Sequence, residues 1–85
     1  MVVEVLYFAS LRERLGVARE TVTLPAGVND LAGLLGELRG RGGAWVEALG
    51  DPQAVLMSIN QEMARAEDGI ADGDEIGLFP PVTGG

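Results

Sequence analysis

Cysteine, histidine and lysine are all absent from this 85-residue sequence. Without cysteine there is no disulfide framework, no thiolate nucleophile and no sulfur ligand for a metal. Without histidine the neutral-pH general base and every Ser-His or Cys-His arrangement fall away. With both missing, the usual zinc ligand sets cannot be assembled, and no metal is assigned. Without lysine no side-chain amine can form a Schiff base or accept an isopeptide bond. The six basic residues are the arginines Arg12, Arg14, Arg19, Arg39, Arg41 and Arg65, set against 13 acidic residues for a formal net charge of −7. That balance opposes nucleic-acid binding, where clustered cations on phosphates supply most of the affinity. A basic protein surface suits it better. No apolar run reaches the ~20 residues of a membrane span, and the opening MVVEVLYF carries Glu4 where a signal peptide would be basic. The expectation is a cytoplasmic protein that engages neither membrane nor nucleic acid.

What is present describes one folded domain. Hydrophobic residues are 47% and charged residues 22% of the chain, ordinary globular usage. A chain this short buries only ~60–65% of its unfolded surface, enough for one core. Val2 to Phe8 is short, β-branched and aromatic, which predicts a strand. The pleat puts Val3, Val5 and Tyr7 on the core face and Glu4, Leu6 and Phe8 on the other. Ser10 and Glu13 have capping-box spacing for a short helix stopped by Gly16. Arg19 to Leu24 predicts a second strand, closed by Pro25. After a cap at Asn29 or Asp30, Leu31, Leu34, Leu35 and Leu38 form one apolar helical stripe, with Gly33, Gly36 and Gly40 expected on the opposite face. A helical turn over Trp45 to Leu49 follows. Ala54 to Ile59 predicts a strand, Asn60-Gln61 a turn, and Met63 to Arg65 a short strand. Glu75 to Phe79 predicts the last strand, after an Asp72-Gly73-Asp74 turn. Strands before and after one main helix imply an α+β fold with a mixed sheet covered on one face.

Two familiar motifs fail on inspection. The glycines of GELRGRGG have no lysine after them and follow a helix, whereas a phosphate loop lies between strand and helix. The acidic stretch Glu67, Asp68, Asp72, Asp74 and Glu75 does not keep calcium-loop spacing, and Gly69 and Gly73 point to turns. Ser10, Ser58 and Tyr7 have no histidine or lysine to activate them. A self-contained active site is not expected.

Two features remain. Phe8 shares a face with Glu4, and Phe79 shares one with Glu75. If the leucine helix covers the other face, these rings and Met63 form an apolar patch suited to docking a protein. The second feature is the closing stretch Phe79-Pro80-Pro81-Val82-Thr83-Gly84-Gly85. Two prolines remove two ladder donors, end the strand and favour an extended arm. Residues 80–85 span on the order of 20 Å when extended, and two glycines without Cβ atoms can pass a channel that side chains would block. Such an arm delivers one group, the α-carboxylate of Gly85. An adenylating enzyme using ATP can convert it to a mixed anhydride, and sulfide can displace AMP to leave a thiocarboxylate. The division expected is a domain over 1–79 and a flexible carrier tail over 80–85.

VLYFASLRERLG, the leucine helix, SINQ and DGDEIGLFPPVTGG together resemble the small, sulfur-carrier subunits of molybdopterin synthase, members of the ubiquitin-like β-grasp proteins. A bare Gly-Gly is shared with ubiquitin-like modifiers and thiamine sulfur carriers; the Phe-Pro-Pro-Val-Thr-Gly-Gly context is what the molybdopterin branch looks like. The resemblance implies a β-grasp sheet with first and last strands paired at its centre. It also implies adenylation and thiocarboxylation of Gly85 by an E1-like activating enzyme, with no cofactor bound to the chain itself. Pro80, Pro81, Val82, Thr83 and Gly84 would form an arm inserted into the large subunit of a heterotetramer. There the catalytic residues would lie, and sulfur would pass to cyclic pyranopterin monophosphate in molybdenum cofactor biosynthesis. Phe8, Met63 and Phe79 match apolar docking positions. The alternatives are a modifier conjugated through Gly85, or a thiamine-pathway carrier.

Overall fold

The computed structural model describes residues 1–51 and 54–81. Strands β1 (Val2–Tyr7), β2 (Arg19–Thr23), β3 (Leu56–Ile59), β4 (Glu62–Ala64) and β5 (Glu75–Phe79) form one mixed sheet in the order β2-β1-β5-β3-β4. The first and last strands run parallel at its centre, with Val5 beside Ile76 and Tyr7 beside Leu78. All other neighbours are antiparallel. Helices α1 (Ala9–Leu15), α2 (Leu31–Arg39) and α3 (Ala44–Leu49) fill the connections. This is a β-grasp arrangement.

The pleat and the leucine stripe meet as expected. Val3, Val5, Tyr7, Ile76 and Leu78 are each at most 2% exposed, and so are all four stripe leucines of α2. They form one cluster with Leu11, Leu24, Leu49, Val55 and Met57. Fully burying each of these side chains is worth ~1.5–3 kcal/mol, which outweighs the weak helix propensity of the glycine-bearing α2.

Local geometry departs from expectation at two points. Ser10 does not cap α1. The N-cap falls on Phe8, with no side-chain hydrogen bond. Phe8 also donates its N–H to Leu78 O at 3.1 Å, so the helix starts straight off the end of β1 and Ser10 is already inside it. Gly16 does stop the helix, at φ 73°. Nor is Gly33 simply on the outer side of α2: a Cβ there would lie 2.8 Å from Val28 Cγ1. Its N–H receives the cap instead, donating to Asp30 Oδ1 at 2.8 Å. Asp30→Ala is expected to destabilise the fold by ~1 kcal/mol, read as a lower urea midpoint with an unchanged slope.

A polar clasp holds the stretch between α2 and α3. Arg41 donates from Nη1 and Nη2 to Glu20 Oε2 and Oε1 at 2.8 and 2.9 Å. Its guanidinium also lies 4.4 Å from the Trp45 ring centroid. Tyr7 Oη donates to Glu20 Oε2 at 2.7 Å, and the Tyr7 ring meets Trp45 edge-on. The Arg41 bonds hold the Glu20 carboxyl below its ordinary value of 4.5, against an opposing contribution from burial and with help from Tyr7. Burial and the same carboxylate push the Tyr7 phenol far up. A carboxyl with a lowered folded-state pKa contributes stability that is present above 4.5 and lost as pH falls through the folded value. Glu20→Gln should therefore cost up to ~1 kcal/mol at neutral pH, the pair being part-exposed. It should also flatten the loss of stability below pH 4.5, as measured by denaturant midpoints across pH.

Candidate functional site

The helices leave the second sheet face open, and its residues follow from strand register. Glu4 and Leu6 of β1 lie beside Glu75 and Gly77 of β5, while Leu56 and Ser58 of β3 lie beside Phe79 and Gly77. Met63 of β4 pairs with Ser58. Phe8, one residue beyond β1, stacks on Phe79 with ring centroids 4.4 Å apart and planes 4° from parallel. Phe8 is 38% and Met63 65% exposed. Between these side chains runs a groove of about 300 Å³ walled by Leu6, Phe8, Met63 and Phe79, with Ser58, Gln61, Glu75 and Gly77 completing its lining. Phe8, Met63 and Phe79 thus come together as one surface.

Gly77 makes that surface possible. A Cβ at this position would sit 2.5 Å from Ser58 Oγ and 3.0 Å from Phe79 Cε2, so the missing side chain is the space the ring occupies. Gly77→Ala is expected to tip the Phe79 ring off Phe8 and fill the groove floor. Aromatic proton shifts should report the lost stacking, while the circular dichroism of the fold is retained.

Leu6, placed on this face by strand alternation, is joined there by Leu56 through register. Leu56 is 36% exposed beside Phe79. Its outward direction is implicit in the inward alternation of Val55 and Met57, but its place next to Phe79 depends on strand pairing.

The closing stretch leaves from this surface. β5 is bonded to β1 on one side and β3 on the other, which makes its end a rigid base. The ladder stops at Phe79, since Pro80 and Pro81 have no N–H to offer. Pro80 is half-buried and Pro81 exposed. Val82, Thr83, Gly84 and Gly85, the remainder of the expected arm, lie outside the described residues.

The acidic stretch is occupied with backbone hydrogen bonds, two local to turns and one reaching β1. Asp72 Oδ1 accepts from Val2 N at 2.6 Å, Asp74 Oδ2 from Ala71 N at 2.8 Å, and Asp68 Oδ2 from Arg65 N at 2.8 Å. Among the described residues no group of three acidic side chains is placed to hold a metal ion, and no helix is long and apolar enough to cross a membrane.

Comparison with known proteins gives a consistent picture. The ThiS family model matches residues 5–85. The molybdopterin synthase sulfur carrier subunit of Haemophilus influenzae is 37% identical over 81 residues, covering 95% of this chain and 96% of that one. In a complex of subunits 1 and 2 of molybdopterin-converting factor from Helicobacter pylori, one chain superposes with a TM-score of 0.68 at 29% identity, each chain covered in full. SAMP1 of Haloferax volcanii superposes with a TM-score of 0.79 at 32% identity, again with both chains fully covered. This chain therefore belongs to the ThiS family, as a β-grasp protein similar in sequence over nearly its full length to molybdopterin synthase sulfur carrier subunits.

Proposed function

We propose that this chain is the sulfur-carrying small subunit of molybdopterin synthase and works from the cytoplasm. The observation that carries the reading is the joining of two features on one strand: β5 places Phe79 in the open apolar surface and continues directly into Pro80-Pro81. A partner that covers the Phe8, Met63 and Phe79 surface therefore has the arm delivered beside it. The likeness to a chain in the Helicobacter pylori subunit complex supports a large subunit as that partner; the heterotetramer, two of each, is part of the proposal.

The chemistry assigned to Gly85 needs no side chain of its own. Its carboxylate attacks the α-phosphorus of ATP on an E1-like activating enzyme, expelling pyrophosphate and forming the acyl adenylate. A sulfide-level donor adds to the carbonyl and AMP leaves, which gives the thiocarboxylate. On the large subunit the thiocarboxylate sulfur bonds to a side-chain carbon of cyclic pyranopterin monophosphate as an oxygen substituent leaves that carbon. Water then cleaves the acyl–sulfur bond, leaving the sulfur on the substrate and Gly85 as the carboxylate; the two sulfurs of the dithiolene take two such deliveries. Gly84 leaves clearance at the reacting carbonyl, and Pro80 to Thr83 are the inserted arm. The chain is thus the donor, and the catalytic side chains belong to the large subunit.

Reconstitution tests this. Thiocarboxylated chain, large subunit and cyclic pyranopterin monophosphate should yield molybdopterin in proportion to the thiocarboxylate consumed. No product from fully loaded carrier would contradict the reading. The likeness to Haloferax volcanii SAMP1, a small archaeal modifier protein, favours a second function, a modifier conjugated through Gly85 to lysines of other proteins. Isopeptide-linked conjugates in cells, with no molybdopterin formed on reconstitution, would select it.

A further inference from the structure

Glu4 and Glu75 stand directly opposite each other on the two central strands, both on the open face. Like charges in that position oppose sheet formation. Among the described residues only one of them is compensated. Glu4 accepts from Thr21 Oγ1 at 2.9 Å and from Arg19 Nε at 3.1 Å, and these bonds hold its carboxyl below the ordinary range. Arg19 is thereby engaged. Among the described residues no side chain pairs with the Glu75 carboxylate; the residue meets Asn60 through its backbone, the N–H donating to Asn60 Oδ1 at 3.0 Å and the carbonyl accepting from Asn60 N at 2.8 Å.

Glu75 is also half-buried in the lining of the groove, with Leu6, Phe8, Met63 and Phe79 as its apolar walls and Ser58, Gln61 and Gly77 beside them. An apolar trough ending on an unpaired carboxylate matches a side chain that is apolar along its stem and cationic at its tip. Arginine fits better than lysine, because a planar guanidinium stacks on aromatic faces and forks onto a carboxylate. The chain's net charge of −7 favours approach by a basic surface.

We infer that the groove receives an arginine of the large subunit, its stem along Met63 and Phe79 and its guanidinium on Glu75. This rests on the small-subunit function proposed above. The Glu75 carboxylate opposes the fold in the free chain and is satisfied only in the complex, a trade of stability for recognition. A residue serving the fold alone would show the opposite sign.

The test uses full-length Glu75→Gln and Phe79→Ala, titrated into the molybdopterin synthase large subunit by calorimetry at low and high salt, with melting of each free variant alongside. Glu75→Gln should melt at or above the parent temperature and yet bind on the order of tenfold more weakly at low salt. The gap should narrow at high salt, as screening weakens the parent pair. Unchanged affinity at low salt, or affinity and melting temperature falling together, overturns the inference. If Phe79→Ala weakens binding and Glu75→Gln does not, the arginine is wrong while the docking surface stands. If neither variant weakens binding, the surface itself is wrong.

Discussion

Deleting Gly85, or adding one residue after it, should reduce sulfur transfer by more than ~100-fold while leaving the fold untouched. One residue changes the reach of an extended arm by ~3.5 Å, and misplacing a reacting group by even 1 Å costs about a hundredfold. Deletion puts the carboxylate of Gly84 a full residue short of the activating centre. Extension puts the activatable carboxylate beyond it and converts Gly85 to an internal amide. Neither change touches the described core, because the ladder of β5 stops at Phe79. Thermal melting should match the parent, and single-turnover molybdopterin formation should be lost. Retained transfer in either variant would remove Gly85 from the chemistry.

The second large effect concerns the stacked rings. Phe8→Ala and Phe79→Ala are each expected to weaken binding to the large subunit by roughly thirtyfold, the ~2 kcal/mol typical of a buried aromatic anchor. The rings lie 4.4 Å apart, so they act as one surface and the double variant should fall short of the product of the singles. Stability should change far less. Phe8 is 38% exposed, and an aromatic pair contributes ~0.5–1.5 kcal/mol beyond its buried area. Calorimetric titration against the large subunit separates the two, because a loss of affinity without a matching loss of melting temperature places the rings in recognition.

Much of the fold was legible along the chain because it is written in local periods. Glu4 broke the symmetry of an otherwise apolar β1 and assigned its faces, and four leucines at helical spacing marked the buried side of α2. Both rules act between near neighbours, so one sequence suffices. What escaped was set by distant partners or by atoms that are not there. The Ser10 cap failed because Phe8 keeps a sheet bond to Leu78, 70 residues later in the chain, which starts the helix early. The Glu20–Arg41 clasp joins residues 21 positions apart with no pattern between them. Gly77 reads as an ordinary weak point in a strand, yet its lost Cβ makes room for Phe79. The unpaired state of Glu75 emerges only when β1 and β5 are seen side by side.

The candidate site divides the same way. Phe8 and Phe79 were signalled by strand alternation and Met63 by the family resemblance, and the structure brings them together with Leu6 and Leu56. The arm was signalled by composition, two prolines followed within a few residues by two glycines, and its last four residues lie outside the described structure. The link between surface and arm is Phe79, which belongs to both.

The proposed chemistry converges on the terminal carbonyl of Gly85. Intact-protein mass spectrometry of the chain after incubation with its activating enzyme, ATP and a sulfide-level donor reads that atom directly. A mass gain equal to one sulfur replacing one oxygen, confined to the fragment holding Gly85 and absent when ATP is omitted, is the predicted result. An unchanged mass, with the same enzyme shown to load another carrier, would contradict it.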